Sequence, residues 1–482
     1  MFFISRFRFV ASPLAMAGLI ALSSSPARAA LPGRGGSIDG VPATRAVAPQ
    51  ALIEALAAIH ANVPAFSRQT GLACSACHYQ FPQLTPFGRL FKLNGYTLTA
   101  LPTIGQPGDS AGKGSLRLSS IPGVAAMLVT SLTQLKTAAP GTQNGTVVMP
   151  DQFSIFAAGA ITPNLGGFTQ FTYSAVDGGF GIDNIDIRYA NHRTLADRDW
   201  IYGVTLNNNP TVQDVWNTVP AWGFPFMSSP VAPAPAASTL IDGGLEQSVL
   251  GIGAYSLFDN LLYTEVSVYR SSPQGAAMPL DTTAENVTSG LTPYWRVALQ
   301  HEAPNTSLML GTFGMNARLF PTGVTGPRDH VSDVAVDAQV EQRSGAAAWI
   351  GRASYIRERE QLDATLLAGG ADNVDQHLST ARASLGYVPS LRYALTLGYF
   401  QTTGTTDATL RPAGPLTGSS TGSPNSSALT GEFDFNAWQN TRLGAQYTAY
   451  NKFNGAKTAY DIVGGRSAAD NNTLYLYMWV AF

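Results

Sequence analysis

Leu391-Arg392-Tyr393-Ala394-Leu395-Thr396-Leu397-Gly398-Tyr399 carries a large apolar or aromatic side chain at every odd position and a small or polar one at every even position. A period of two sends alternate side chains to opposite faces of a strand. Glu432-Phe433-Asp434-Phe435-Asn436-Ala437 and Thr441-Arg442-Leu443-Gly444-Ala445-Gln446-Tyr447-Thr448-Ala449 repeat the pattern. From about Leu116 to the C-terminus about sixteen such segments follow one another, an even number within the range of bacterial outer-membrane barrels.

The connections are regular as well. Short links (Pro163-Asn164-Leu165-Gly166, Phe258-Asp259-Asn260, Ser344-Gly345, Pro389-Ser390, Gln439-Asn440) alternate with long ones near 136–150, 209–245, 271–291, 359–374, 402–425 and 453–471. A barrel with tight periplasmic turns and extended external loops has this alternation, and a soluble sandwich has no reason for it. The chain ends on Leu474, Leu476, Met478, Val480 and Phe482 alternating with Tyr475, Tyr477, Trp479 and Ala481. Such an apolar strand needs closure and lipid to hide its edge and its face.

Composition agrees. Charged residues are 12% of the 482, against roughly 25% in average globular domains. A net charge of −2 leaves no nucleic-acid footprint. The N-terminus has a basic start (Arg6, Arg8), an apolar run over Phe9 to Leu22 and a small-x-small site at Ala27-Arg28-Ala29. These features form a secretory signal peptide. Beyond it no stretch approaches the ~18 apolar residues of a membrane-spanning helix.

The two cysteines stand together in Ala73-Cys74-Ser75-Ala76-Cys77-His78. C-x-x-C-H is the spacing of covalent c-type haem attachment, with both thiols becoming thioethers and the following imidazole binding the iron. A zinc site needs two further ligands nearby and a thioredoxin-type motif needs a βαβ setting; around residue 74 His60 is the only other candidate ligand. The stretch around the motif is too short to bury a core by itself. Phe66, Phe81, Phe87, Phe91 and Tyr96, together with the haem, would supply most of one. Arg68, Arg89 and Lys92 are its nearest cations and are candidates for the haem propionates, or equally for solvated or wall-contacting charges. The distal ligand is open: His60, Met127 and Met149 are candidates. In the long loops Asp214, Asp281, Glu285 and His330 are available to a cation without forming a pattern.

Pro64-Ala65-Phe66-Ser67-Arg68-Gln69-Thr70-Gly71, the haem motif, Phe81-Pro82-Gln83-Leu84-Thr85-Pro86-Phe87-Gly88-Arg89 and Phe91-Lys92-Leu93-Asn94-Gly95-Tyr96 together resemble the signature of the fused monohaem cytochrome-porins. These are outer-membrane iron oxidases of the iron:rusticyanin reductase type. The resemblance implies a mainly β protein: a signal peptide over 1–29, a monohaem cytochrome c module over 30–110 that plugs the barrel, and a sixteen-stranded antiparallel outer-membrane β-barrel over 111–482. It also implies one covalent haem c on Cys74, Cys77 and His78. Fe(II) would be the donor outside, and periplasmic rusticyanin or a soluble cytochrome c the acceptor. A haem-containing porin serving another electron donor, or a porin passing solutes, is the alternative.

Overall fold

The computed structural model describes residues 64–98, 103–104, 118–119, 123–175, 178–273, 279–461 and 465–482. The signal peptide and His60 lie outside the described residues.

Among the described residues the alternating segments form sixteen long antiparallel strands, and the last pairs with the first to close the sheet. The first eight are β1 (Val124–Leu135), β2 (Thr146–Thr162), β3 (Leu165–Ser174), β4 (Gly179–Leu195), β5 (Arg198–Asn207), β6 (Val249–Phe258), β7 (Leu262–Ser271) and β8 (Thr292–Glu302). The others are β9 (Thr306–Thr322), β10 (Asp329–Ser344), β11 (Ala347–Gln361), β12 (Asp375–Ser390), β13 (Tyr393–Gly404), β14 (Ser426–Trp438), β15 (Thr441–Lys452) and β16 (Thr473–Ala481). At the seam Phe482 N donates to the Ala126 carbonyl at 2.9 Å and Ala126 N returns the bond to Phe482 at 2.6 Å.

The period-two pattern acts as expected. On β13 Leu395, Leu397 and Tyr399 face outward and are exposed, while Ala394 and Thr396 are buried on the inside. The inner wall carries the charge: Asp186, Arg188, Glu265, Arg296 and Glu341 are all buried. Apolar outside and charged inside is the reverse of a soluble fold, and it is stable only with lipid around the barrel. The protein is an outer-membrane β-barrel.

The turns at 163–164, 196–197, 259–261, 303–305, 345–346, 391–392 and 439–440 gather at one rim, with the start of β1 and the end of β16. This short-turn rim is the periplasmic one. The opposite rim differs in detail from the sequence reading. β11 runs on to Gln361 and β13 to Gly404, where loops were expected from 359 and 402. The end of β11, Arg357-Glu358-Arg359-Glu360, is charged on both faces, a pattern that suits a strand end at the rim and not one in lipid. Glu285–Thr288, expected within a loop, instead extends β8 by pairing with Leu319–Thr322 of β9.

A sixteen-stranded barrel is too wide for its own side chains to fill. Here two inserts fill it: residues 64–98 from the short-turn rim, and the connection 208–248 from the opposite rim. The latter was expected as an external loop. It turns inward because the wall charges need partners, and Asn208 through Val219 are all buried. Asp214 lies 3.4 Å from Arg296, the Trp216 and Thr218 amides donate to Asp214 at 3.0 and 2.8 Å, and Ile241 N donates to Asp333 at 2.8 Å.

Candidate functional site

The C-x-x-C-H motif is held by three short helices: α1 (Ala65–Thr70), α2 (Cys74–Cys77) and α3 (Pro86–Leu93). Gly71 ends α1 in the left-handed region at φ 69°, where a Cβ is disfavoured. Between α2 and α3 a ribbon, His78–Gln80 against Gln83–Leu84, reverses the chain. Pro86 opens α3, and Thr85 caps it by accepting from Gly88 N at 3.1 Å. Thr85 also donates to the motif, N–H to the Cys77 carbonyl at 2.9 Å and hydroxyl to the Ala76 carbonyl at 2.7 Å. Gly88 lies flat on this contact: a Cβ there would sit 2.2 Å from the Cys77 carbonyl oxygen.

Cys74 and Cys77 are partly buried and unbridged, three residues apart on one helical turn and therefore on one face. Burial, with Cys74 beside it, pushes the Cys77 thiol up to about 11. His78 follows immediately. Its Nδ1 lies 3.2 Å from the Pro82 carbonyl. A carbonyl only accepts, so Nδ1 carries the proton and Nε2 keeps its lone pair. Burial lowers the imidazole to about 4, against the pull of the Pro82 and Gln83 carbonyls and with help from the Arg442 charge. The ring is thus held neutral, the form that ligates a metal. Two free thiols on one face, followed by an oriented neutral imidazole, fit the attachment of a haem c.

Phe81 packs 5.3 Å from the His78 ring and stacks on Trp479 of β16 at 5.4 Å. Arg442 of β15 lies over Trp479 at 5.5 Å and donates to the Phe81 carbonyl at 3.1 Å. Among the described residues no carboxylate forms a salt bridge with it. Sequence reading missed Arg442, because nothing local marks it among the polar residues of an alternating strand. Met127 faces inward in the cluster that Phe81 packs against, and Met227 of the inward loop packs on the same cluster. Met149, a candidate from the sequence, is 70% exposed on the outer side of β2, on the wrong face to reach His78 or its surroundings.

The cations of the module serve several partners. Arg89 is clamped by Glu341 at 2.6 Å and Glu302 at 2.8 Å. Lys92 donates to the Val212 and Asp214 carbonyls and lies 3.8 Å from Asp186. Arg68 donates to the Val124 carbonyl at the start of β1. The first two lock α3 to the wall and to the inward loop. The motif itself sits at the short-turn rim, where Cys74 N donates to Gln439 Oε1 at 3.1 Å in the turn between β14 and β15. The loop candidates are not brought together. Asp214 is buried against Arg296, Asp281 and Glu285 are exposed, and His330 accepts from Arg318 at 2.9 Å. Among the described residues no group of three His, Cys, Asp or Glu side chains is placed to hold a metal ion.

No protein-family model and no curated protein matches the sequence. Solved structures with similar architecture include an anion-selective porin from Comamonas acidovorans (11% identity, TM-score 0.45, 74% of this chain and 98% of that one). Others are OprB of Pseudomonas putida (9%, 0.43, 74% and 93%) and the outer membrane channel DcaP of Acinetobacter baumannii (11%, 0.41, 74% and 96%).

Proposed function

We propose that this barrel carries one covalent haem c at its periplasmic mouth and acts as an Fe(II):acceptor oxidoreductase, passing electrons from extracellular Fe(II) to periplasmic rusticyanin or a soluble cytochrome c. The observation that carries the reading is the geometry of the motif, with two unbridged thiols on one turn and His78 oriented through Nδ1 so that Nε2 is the ligating nitrogen. Cys74 and Cys77 would hold the group and His78 would bind its iron. A haem c bound there supplies a one-electron centre whose potential follows its axial ligands and its surroundings. Arg442, with no carboxylate of its own, is suited to a propionate. Each turnover removes one electron from Fe(II), which leaves as Fe(III), and delivers one electron to the acceptor.

The inner wall supports a cationic donor. Above the motif Gln80 donates to Asp434, and Glu432 and Asp434 both accept from Tyr477. Asp151 accepts from Tyr475 at 2.8 Å. These three carboxylates, on β2 and β14, make this side of the inner wall acidic, which favours a cation over an anion near it. At the other end Leu72 and Phe87 are exposed beside the motif, facing the side where a soluble acceptor would dock.

A second reading has its own support. Arg188, Arg296 and Arg352 stand on the inner wall with Asp186, Asp337 and Glu341, buried under the inserts, so displacing the inserts would expose a charged wall of the kind that selects solutes in a porin. A spectrum of the detergent-purified, haem-loaded protein with and without Fe(II), beside Cys77→Ala, tests the first reading. Haem bands that Fe(II) reduces, and that the variant lacks, are expected. Haem that dithionite reduces but Fe(II) leaves oxidised would sink the iron reading. Large steady conductance in planar bilayers would favour solute passage.

A further inference from the structure

Among the buried guanidinium groups of the wall and plug, most are matched to acids. Arg89 has Glu302 and Glu341, Arg188 has Asp186 at 3.0 Å, and Arg296 has Asp214 and Asp337. Arg442 at the short-turn rim has none, and neither has Arg352, inward-facing on β11 and 8% exposed. Its Nε donates to the Trp216 carbonyl at 3.1 Å and to Gln339 Oε1 at 2.9 Å, both neutral, and its Nη2 is buried with no partner. No carboxylate among the described residues is within salt-bridge reach. Glu341 and Asp214, whose charges favour the protonated guanidinium from beyond salt-bridge distance, are held by Arg89 at 2.6 Å and Arg296 at 3.4 Å. A buried charge with neither counter-ion nor full hydrogen bonding is costly, so it calls for a partner.

Beside Arg352 there is room for one. A cavity of about 170 Å³ lies between the inward loop and the wall, lined by Thr218, Phe224, Arg352, Ser354, Arg382 and Ser384. At ~30 Å³ per water this is the space of about five waters, or of one four-oxygen anion with its nearest waters. Arg382 is paired with Asp242, so the lining keeps one uncompensated positive charge, that of Arg352. A planar guanidinium with an unpartnered Nη2 matches the geometry of an oxoanion, and the hydroxyls of Ser354 and Ser384 add donors that suit the same ligand; the Thr218 hydroxyl is already given to Asp214 and Asp337.

We infer that this cavity is a binding site for a small inorganic oxoanion of the sulfate or phosphate class, with Arg352 as its principal ligand. The site does not depend on haem and lies apart from the motif. It serves as the missing counter-charge that lets the inward loop pack on β11 and β12.

Calorimetric titration of the purified full-length barrel with sodium sulfate and with sodium phosphate, each against sodium chloride at equal ionic strength, tests the inference. Saturable binding of one oxoanion per chain is expected, weakened at least ten-fold by Arg352→Met and several-fold by Ser354→Ala. Chloride gives no saturable heat. Ser384→Asp supplies an internal counter-charge, so it should abolish oxoanion binding while the barrel keeps its heat-modifiable gel mobility. Absence of saturable binding of either anion to the wild type, or unchanged affinity in a folded Arg352→Met or Ser384→Asp barrel, would overturn it.

Discussion

At the scale of single residues, two side chains of the plug lead to sharp expectations. Lys92 is fully buried, and burial lowers it to about 8, against the pull of Asp186, Asp214 and Glu265 and with Arg188 adding to the fall. In the unfolded chain it titrates near 10.4. Between those values the unfolded chain binds more protons than the native one, so stability rises with pH over that window, by up to about 3 kcal/mol. Urea titrations of plug protection from protease, run from pH 7 to pH 11, should show the rise. Lys92→Met should flatten it; an unchanged slope in that variant would assign the effect elsewhere. Gly88→Ala places a methyl 2.2 Å from the Cys77 carbonyl oxygen, which should cost about 1–3 kcal/mol of plug docking and lower the yield of the proposed covalent haem. At this scale the grouping of Cys74, Cys77 and His78 was legible because it depends only on spacing along the chain, while the haem proposed for them awaits its test. Arg442 and Arg352 were not, because a buried cation is recognised by which acids it lacks, a property of distant strands.

At the scale of elements, the strands were legible because lipid on one side and lumen on the other impose a period of two on every one of them. The 208–248 connection was not. It is aperiodic and rich in Asn, Pro and Ala, and its contacts, such as Asp214 with Arg296 and Thr218 with Asp337, join residues roughly a hundred positions apart. Asp214 organises the inward turn by accepting from Trp216 N, Thr218 N and the Thr218 hydroxyl. Asp214→Asn weakens these charge-assisted bonds and leaves Arg296 with Asp337 alone. We expect a loss of about 2–3 kcal/mol in the loop's docking, read as faster hydrogen exchange over 211–219 with the strand amides unchanged. Equal exchange in variant and wild type would show that the loop is held by its apolar contacts.

At the scale of the whole molecule, lumen filling from both rims decides what crosses. A barrel lacking 64–98 still has its sixteen-strand closure, so it should assemble and show heat-modifiable mobility while conducting several-fold more than the intact chain in planar bilayers. Equal conductance would mean that the inward loop alone seals the lumen. The plug and the wall are also connected in time. Phe81 rests on Trp479 of the closing strand, and the Cys74 amide is tied to Gln439 in the last tight turn. Both partners come from the final stretch of the chain and reach their places when the cylinder closes. On the haem proposal maturation has an order: the thiols are open to attachment while the polypeptide is still in transit through the periplasm, and closure then leaves them half-buried against the last tight turn. In pulse-labelled cells the proposed haem should appear on unassembled chains first, and its addition to barrels already resistant to detergent would reverse that sequence of events.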